Sequence, residues 1–138
     1  VQRPDLYKAV RCGVPLLDMI KFHKFRIANI WSEEYGTSDF KEQFEYLLKY
    51  SPYQNIKKGV KYPDMLITGG ENDARVDPMH VRKMGAKLQA DSTGGPVFPV
   101  VYPDAGHGSS VDFDSRVKQY AREGAFMYDR LGLEITKE

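Results

Sequence analysis

The sequence predicts an α/β architecture, a mostly parallel sheet with helices packed against it. Three observations carry this. Short apolar runs bounded by turn residues occur at 9–14, 64–69 and 97–102. Between and after them lie stretches whose apolar residues recur three or four positions apart, the spacing of one helix face. No repeat, low-complexity tract or linker divides the 138 residues into two units. Strands that alternate with helices pair in parallel, because a parallel neighbour is reached only through a long crossover.

The elements follow in chain order. Val1 to Leu6 has no basic or apolar segment of a signal peptide and reads as the frayed end of a helix, then a turn at Pro4. Ala9 to Val14 is a buried strand. Pro15 to Phe25 is a loop with one helical turn, and Trp31 to Asp39 is loop ending in an N-cap at Ser38 or Asp39. Phe40, Phe44, Leu47 and Leu48 then share one helix face, and Ser51-Pro52 ends that helix. Asp64 to Gly69 is a second strand entering a glycine turn. Pro78 opens a helix with Val81, Met84 and Leu88 on one stripe. After the turn at Asp91–Pro96, Val97 to Tyr102 forms a third strand, placed at a sheet edge by Pro99. A last helix over 115–131 turns Val117, Tyr120, Ala121, Ala125 and Tyr128 inward, and Glu134–Glu138 reads as a natural terminus.

Composition narrows the function. Apolar residues make up 41% of the chain, enough for a core. Basic and acidic residues number 20 and 19, a net charge of +1, which argues against nucleic-acid partners and anionic membranes. No apolar run approaches the roughly 18 residues of a spanning helix. Cys12 is the single cysteine, so no internal disulfide or cysteine zinc site forms, and it reads as a small buried hydrophobe. No His, Asp or Glu cluster has zinc-ligand spacing, so neither metal nor cofactor is expected. A cytoplasmic location is expected, with a periplasmic one as the alternative.

In an open α/β sheet, chemistry gathers in the loops after the carboxyl ends of strands. Asp73 lies in the loop after the second strand and His107 in the loop after the third, 34 residues later. An aspartate that accepts the Nδ1 proton of a histidine fixes its tautomer and stabilises the imidazolium. In α/β hydrolases the order is nucleophile, acid, histidine, and acid and histidine stand here in that order. No Gly-x-Ser-x-Gly elbow occurs; Gly36–Phe40 fails at its last position. The blander alternative makes Asp73 a cap of the helix near Pro78 and His107 a turn residue, and spacing does not choose. Trp31 likewise reads as core packing or a binding face, and Arg75 as a surface ion-pair partner or a ligand donor. His23 reads as exposed or satisfied by backbone, His80 as a helix starter, and Glu33-Glu34 as solvated.

A series of segments decides between these readings. Gln2-Arg3-Pro4-Asp5-Leu6, Val14–Met19, Trp31–Gly36, Lys49–Tyr53, Asn72–Val76 and Ala105–Gly108 keep their order over nearly the whole chain. Together they closely resemble the C-terminal part of the catalytic domain of the prolyl oligopeptidase family. The resemblance implies the C-terminal part of an α/β-hydrolase fold. It implies that residues 1–138 lack the serine elbow, which lies a short distance upstream of Gln2–Leu6, and the seven-bladed propeller. It implies a serine peptidase cutting short peptides after proline, with these 138 residues inactive alone.

By the same resemblance Asp73 is the triad acid and His107 the base. Arg75 holds a substrate carbonyl, and Trp31 stacks on the substrate proline with Tyr35 in the same loop. Leu16 and Val76 line the proline pocket. Expected partners are a proline-containing peptide and the rest of the chain's own catalytic domain and propeller, with self-association through an exposed sheet edge a further expectation. The alternatives are a related peptidase of basic or dipeptidyl specificity, and a non-catalytic interaction module that kept the fold.

Overall fold

The structure is a computed structural model and describes residues 1–134. Residues 135–138, most of the expected natural terminus, lie outside it. Three strands, β1 (Ala9–Gly13), β2 (Asp64–Gly70) and β3 (Val97–Tyr102), form one parallel sheet in the order β1-β2-β3. Val10 lies opposite Met65, and Met65 opposite Val97. Among the described residues four α-helices accompany them: α1 (Ser32–Tyr35), α2 (Lys41–Tyr50), α3 (Met79–Asp91) and α4 (Phe113–Leu131).

Both faces of the central strand are covered, which explains why β2 reads as a continuous apolar run without alternation. On one face Met65, Ile67 and Val97 meet Val81, Met84 and Leu88 of α3, the stripe expected from the sequence. Each such fully buried aliphatic side chain contributes roughly 1.5–3 kcal/mol relative to exposure. On the other face Arg11, Leu66 and Phe98 lie in register, and α4 packs against this side, burying Leu66 while Phe98 stays partly open to solvent and meets Phe126 edge-on with ring centroids 6.1 Å apart. Among the described residues β1 and β3 each pair on one side only, so Pro99 stands in an edge strand as expected. No helix among the described residues is long and apolar enough to cross a membrane.

The structure departs from the sequence reading in several places. Pro4–Leu6 is a 3-10 turn. The 31–39 segment is not simply loop: Ala28–Trp31 is a 3-10 turn that runs into α1, which Gly36 ends at φ +82°. These turns are too short to show a helical period, and side chains order them. Tyr35 meets Phe22 edge-on, and Trp31 and Tyr35 pack on Met19, Phe22, Ala28 and Leu47. Neither Ser38 nor Asp39 caps α2. Phe40 precedes its first turn, and Asp39 instead accepts from Lys24 Nζ at 2.6 Å.

On α2 only Leu47 is fully buried, while Phe40 and Leu48 stay exposed. His23 is buried, not exposed, with its Nε2 3.5 Å from Asp39. The largest departure is the phase of α4. Val117, Tyr120, Ala121, Ala125 and Tyr128 are exposed, and the residues turned inward are Gln119 and Glu123, 2% and 6% exposed. Hydropathy points the tyrosines inward because it assigns no value to a polar side chain whose partners wait on the sheet.

Candidate active site

The loops leaving β2 and β3 are joined by main-chain contacts. The Glu71 N–H donates to the Tyr102 carbonyl at 2.9 Å and the Asn72 N–H to the Ala105 carbonyl at 3.0 Å. The Asn72 side-chain amide donates to the Pro103 carbonyl at 2.8 Å. The loops approach so closely that a Cβ at Gly70 would lie 2.3 Å from the Gly106 carbonyl oxygen and 2.4 Å from that of Ala105. Glycine is therefore required at 70, and the backbone itself brings the two loops into register.

This places Asp73 against His107. The Asp73 carboxylate is almost fully buried, and its two oxygens have different tasks. Oδ1 accepts the backbone N–H groups of Arg75 at 2.8 Å and Val76 at 3.0 Å. Oδ2 lies 2.9 Å from His107 Nδ1. Asp73 does not cap the helix after Pro78, whose Met79 N–H is taken by Asp77 Oδ1 at 2.8 Å; one Asp73 oxygen organises a local turn and the other meets the histidine. The His107 ring is about one-third exposed, and among the described residues no hydrogen bond engages Nε2. With its Nδ1 proton donated to Asp73, such an imidazole carries an outward acceptor lone pair on Nε2, able to take up a proton. Gly108 follows at φ +117°, a conformation that turns the chain back directly after the ring.

The other candidates fall in two groups. Leu16, Trp31 and Tyr35 gather around Met19, Phe22, Ala28 and Leu47, with Trp31 half-buried. Arg75 and Val76 are tied through their backbones to Asp73; the Arg75 side chain is exposed and the Val76 side chain buried. Beside Val76, Asp77 pairs with Arg26, whose Nε lies 3.1 Å from its carboxylate. A cavity of about 480 Å³ opens beside β1, between Val10, Cys12, Leu17, Met65, Ile67 and Met84, and none of the candidate residues lines it. Cys12 is half-buried there, and burial pushes its thiol up. Among the described residues no group of three His, Cys, Asp or Glu side chains is placed to hold a metal ion.

The sequence reading missed a buried polar network behind this site. His80, read as a helix starter, is 1% exposed, and its Nδ1 accepts the backbone N–H groups of Asp18 at 3.1 Å and Leu17 at 3.3 Å. Asp18, equally buried, accepts from Lys83 and, at 2.8 Å, from Gln54. The bonds anchor the segment after β1 to α3. Nothing in residue spacing pointed to them, because the partners of His80 are backbone groups and those of Asp18 are far away in the chain.

Burial holds His80 far below its ordinary value, at about 4, so it stays neutral when folded. An unfolded chain binds a proton on His80 below about 6.5 that the folded chain refuses. Stability conferred by this group is therefore complete above pH 6.5 and is lost as pH falls toward 4, by roughly 3 kcal/mol in all. Asp18, held below its usual range in spite of burial by Lys83 and Gln54, adds its own loss only at lower pH. Thermal unfolding followed from pH 7 to pH 4.5 is expected to show a falling midpoint in the wild type and a flatter dependence in His80→Gln.

Comparison with known proteins agrees with this fold. Residues 1–134 match the sequence profile of the prolyl oligopeptidase family. A prolyl endopeptidase of Elizabethkingia meningoseptica is 38% identical over 137 residues, covering 98% of this chain and 19% of the relative. The solved structure of a post-proline cleaving enzyme from Rickettsia typhi superposes with a TM-score of 0.92 at 34% identity, covering 97% of this chain and 19% of the other. Oligopeptidase B from Leishmania major superposes with a TM-score of 0.88 at 27% identity, covering 95% and 19%. The chain spans about one-fifth of the length of these relatives. A match over residues 1–134, with the same fold in solved structures, assigns the chain to the prolyl oligopeptidase family.

Proposed function

We propose that the chain is part of a serine peptidase that hydrolyses short peptides on the carboxyl side of proline, with Asp73 as the acid and His107 as the general base. The observation that carries this is the 2.9 Å contact between Asp73 Oδ2 and His107 Nδ1, made by a carboxylate whose other oxygen is already fixed. The serine and its elbow belong to chain outside these residues, as does the propeller, and residues 1–138 are inactive without them. As the serine hydroxyl attacks the scissile carbonyl, His107 Nε2 takes its proton and returns it to the leaving amine, while Asp73 steadies the imidazolium.

The exposed Arg75 guanidinium offers a donor fork to a substrate carbonyl. Trp31 offers an indole face to the flat, apolar proline ring, with Tyr35, Leu16 and Val76 completing the pocket. The free edge of β1 and the cavity beside it are the junction with the rest of the catalytic domain, and the same edge is the route to self-association. The location fitting this reading is cytoplasmic.

Similarity to both prolyl enzymes and oligopeptidase B means that the fold alone does not set specificity. The pocket residues favour proline. None of Leu16, Trp31, Tyr35 and Val76 is acidic, and the nearby Asp18 is already engaged by Lys83 and Gln54. In the full-length enzyme Trp31→Ala is expected to lower the preference for proline over alanine at the cleaved position by roughly 10–100-fold. Labelling of the serine by a fluorophosphonate should continue at the wild-type rate. An undiminished proline preference would make Trp31 core packing and remove the specificity half of the proposal.

A further inference from the structure

Two buried polar side chains, Gln119 and Glu123, occupy the sheet-facing side of α4, where the hydropathy pattern places aliphatic ones. An amide taken out of water costs free energy unless its donor and acceptor are both matched. The partners of Gln119 are what give it meaning. Its Oε1 accepts the Ser110 N–H at 3.2 Å, and its Nε2 donates to the Gly108 carbonyl at 3.1 Å and to Glu123 at 3.2 Å. Glu123 in turn accepts from Arg11 of β1 at 2.5 Å.

Gly108 and Ser110 are the first and third residues after His107, and an antiparallel bridge between Ala105 and Ser110 closes the base of the same loop. The Ala105 side of the loop is held to Asn72, and thereby to the acid loop. The far side is held by Gln119. Asp73 sets the orientation of the His107 ring about the Nδ1 bond and the Asn72 contacts fix the chain before it, but neither holds the backbone that follows the ring.

We infer that Gln119 is the positioning residue for His107, gripping the loop on the side opposite Asp73 and anchored through Glu123 and Arg11 to the sheet. This rests on the reading of His107 as the general base. Gln119 touches no substrate; it acts by keeping Nε2 where the serine hydroxyl must meet it. Misplacing a reacting group by about 1 Å costs on the order of 10²-fold in rate.

The test compares four forms of the full-length enzyme: wild type, Gln119→Met, His107→Ala and the double variant. Gln119→Met keeps the length of the side chain and removes its hydrogen bonds. It should lower kcat on a proline-containing chromogenic peptide by about 10²-fold, with KM within threefold of wild type. On the residual turnover of the His107→Ala enzyme the same substitution should have no further effect, because the group it positions is gone. A general loss of structure would lower both backgrounds alike.

The inference is overturned if Gln119→Met leaves kcat within threefold of wild type while His107→Ala is disabled. It is also overturned if the loss is as large in the His107→Ala background. Full activity in His107→Ala would instead remove the proposed base, and this inference with it. Should Gln119→Met fail to fold, Gln119→Asn, one carbon shorter and still an amide, is read against the same outcomes.

Discussion

Replacing His107 with alanine in the full-length enzyme is expected to lower kcat by about 10⁶-fold while KM changes little. The ring is one-third exposed and makes its hydrogen bond through Nδ1 to Asp73, so its removal opens no core cavity and the fold should persist. What is lost is the acceptor for the hydroxyl proton, without which the serine remains a weak nucleophile. Labelling by a fluorophosphonate should fall in parallel, since that reaction needs the same activated hydroxyl. Steady-state kinetics beside a thermal melt separates loss of chemistry from loss of structure. A kcat within tenfold of wild type, in a folded protein, would remove His107 from the mechanism.

The second large effect is expected from Asp73→Asn, about 10⁴-fold in kcat. The arrangement of donors around Asp73 makes this substitution informative. Two backbone N–H groups point at one oxygen, so the asparagine must place its carbonyl there and turn its NH₂ toward His107. That NH₂ donates to Nδ1, the imidazole proton moves to Nε2, and the outward nitrogen can no longer accept. Geometry survives and the tautomer is wrong. Asp73→Ala should differ in kind. It also orphans the Arg75 and Val76 N–H groups, and thermal stability should fall with activity, by about 1–3 kcal/mol. Equal activity in Asp73→Asn and wild type would confine Asp73 to its local turn.

The sheet was legible because β2 is covered on both faces and β3 carries an edge proline, so simple apolar runs marked the strands. The α3 stripe was legible because Val81, Met84 and Leu88 are apolar and recur at helical spacing, whereas the equally buried His80 on the same helix carries no hydropathy signal. Two kinds of feature escaped. Elements of one turn, such as α1, are held by Phe22 and Tyr35 meeting across a loop, and four residues show no period. The polar interior escaped because His80 and Gln119 are satisfied largely by backbone groups, Leu17 and Asp18 for one, Gly108 and Ser110 for the other. The same blindness explains the α4 error: counting hydrophobes put Tyr120 inside, where Gln119 belongs. At the site, the places of Asp73 and His107 after two strands made them candidates, the resemblance of the surrounding segments chose between their readings, and the indispensable Gly70 was read only as part of a turn.

Gly70 and the three bonds from Glu71 and Asn72 also bear on when the orientational entropy of the reaction is spent. The acid and base are joined by main-chain contacts between β2 and β3, without help from nucleophile or substrate. The freedom of the imidazole relative to its carboxylate is surrendered once, as the chain folds. In the proposed mechanism, Asp73 and His107 would then stand mutually aligned before any peptide binds, leaving its binding energy to align the scissile carbonyl with the serine.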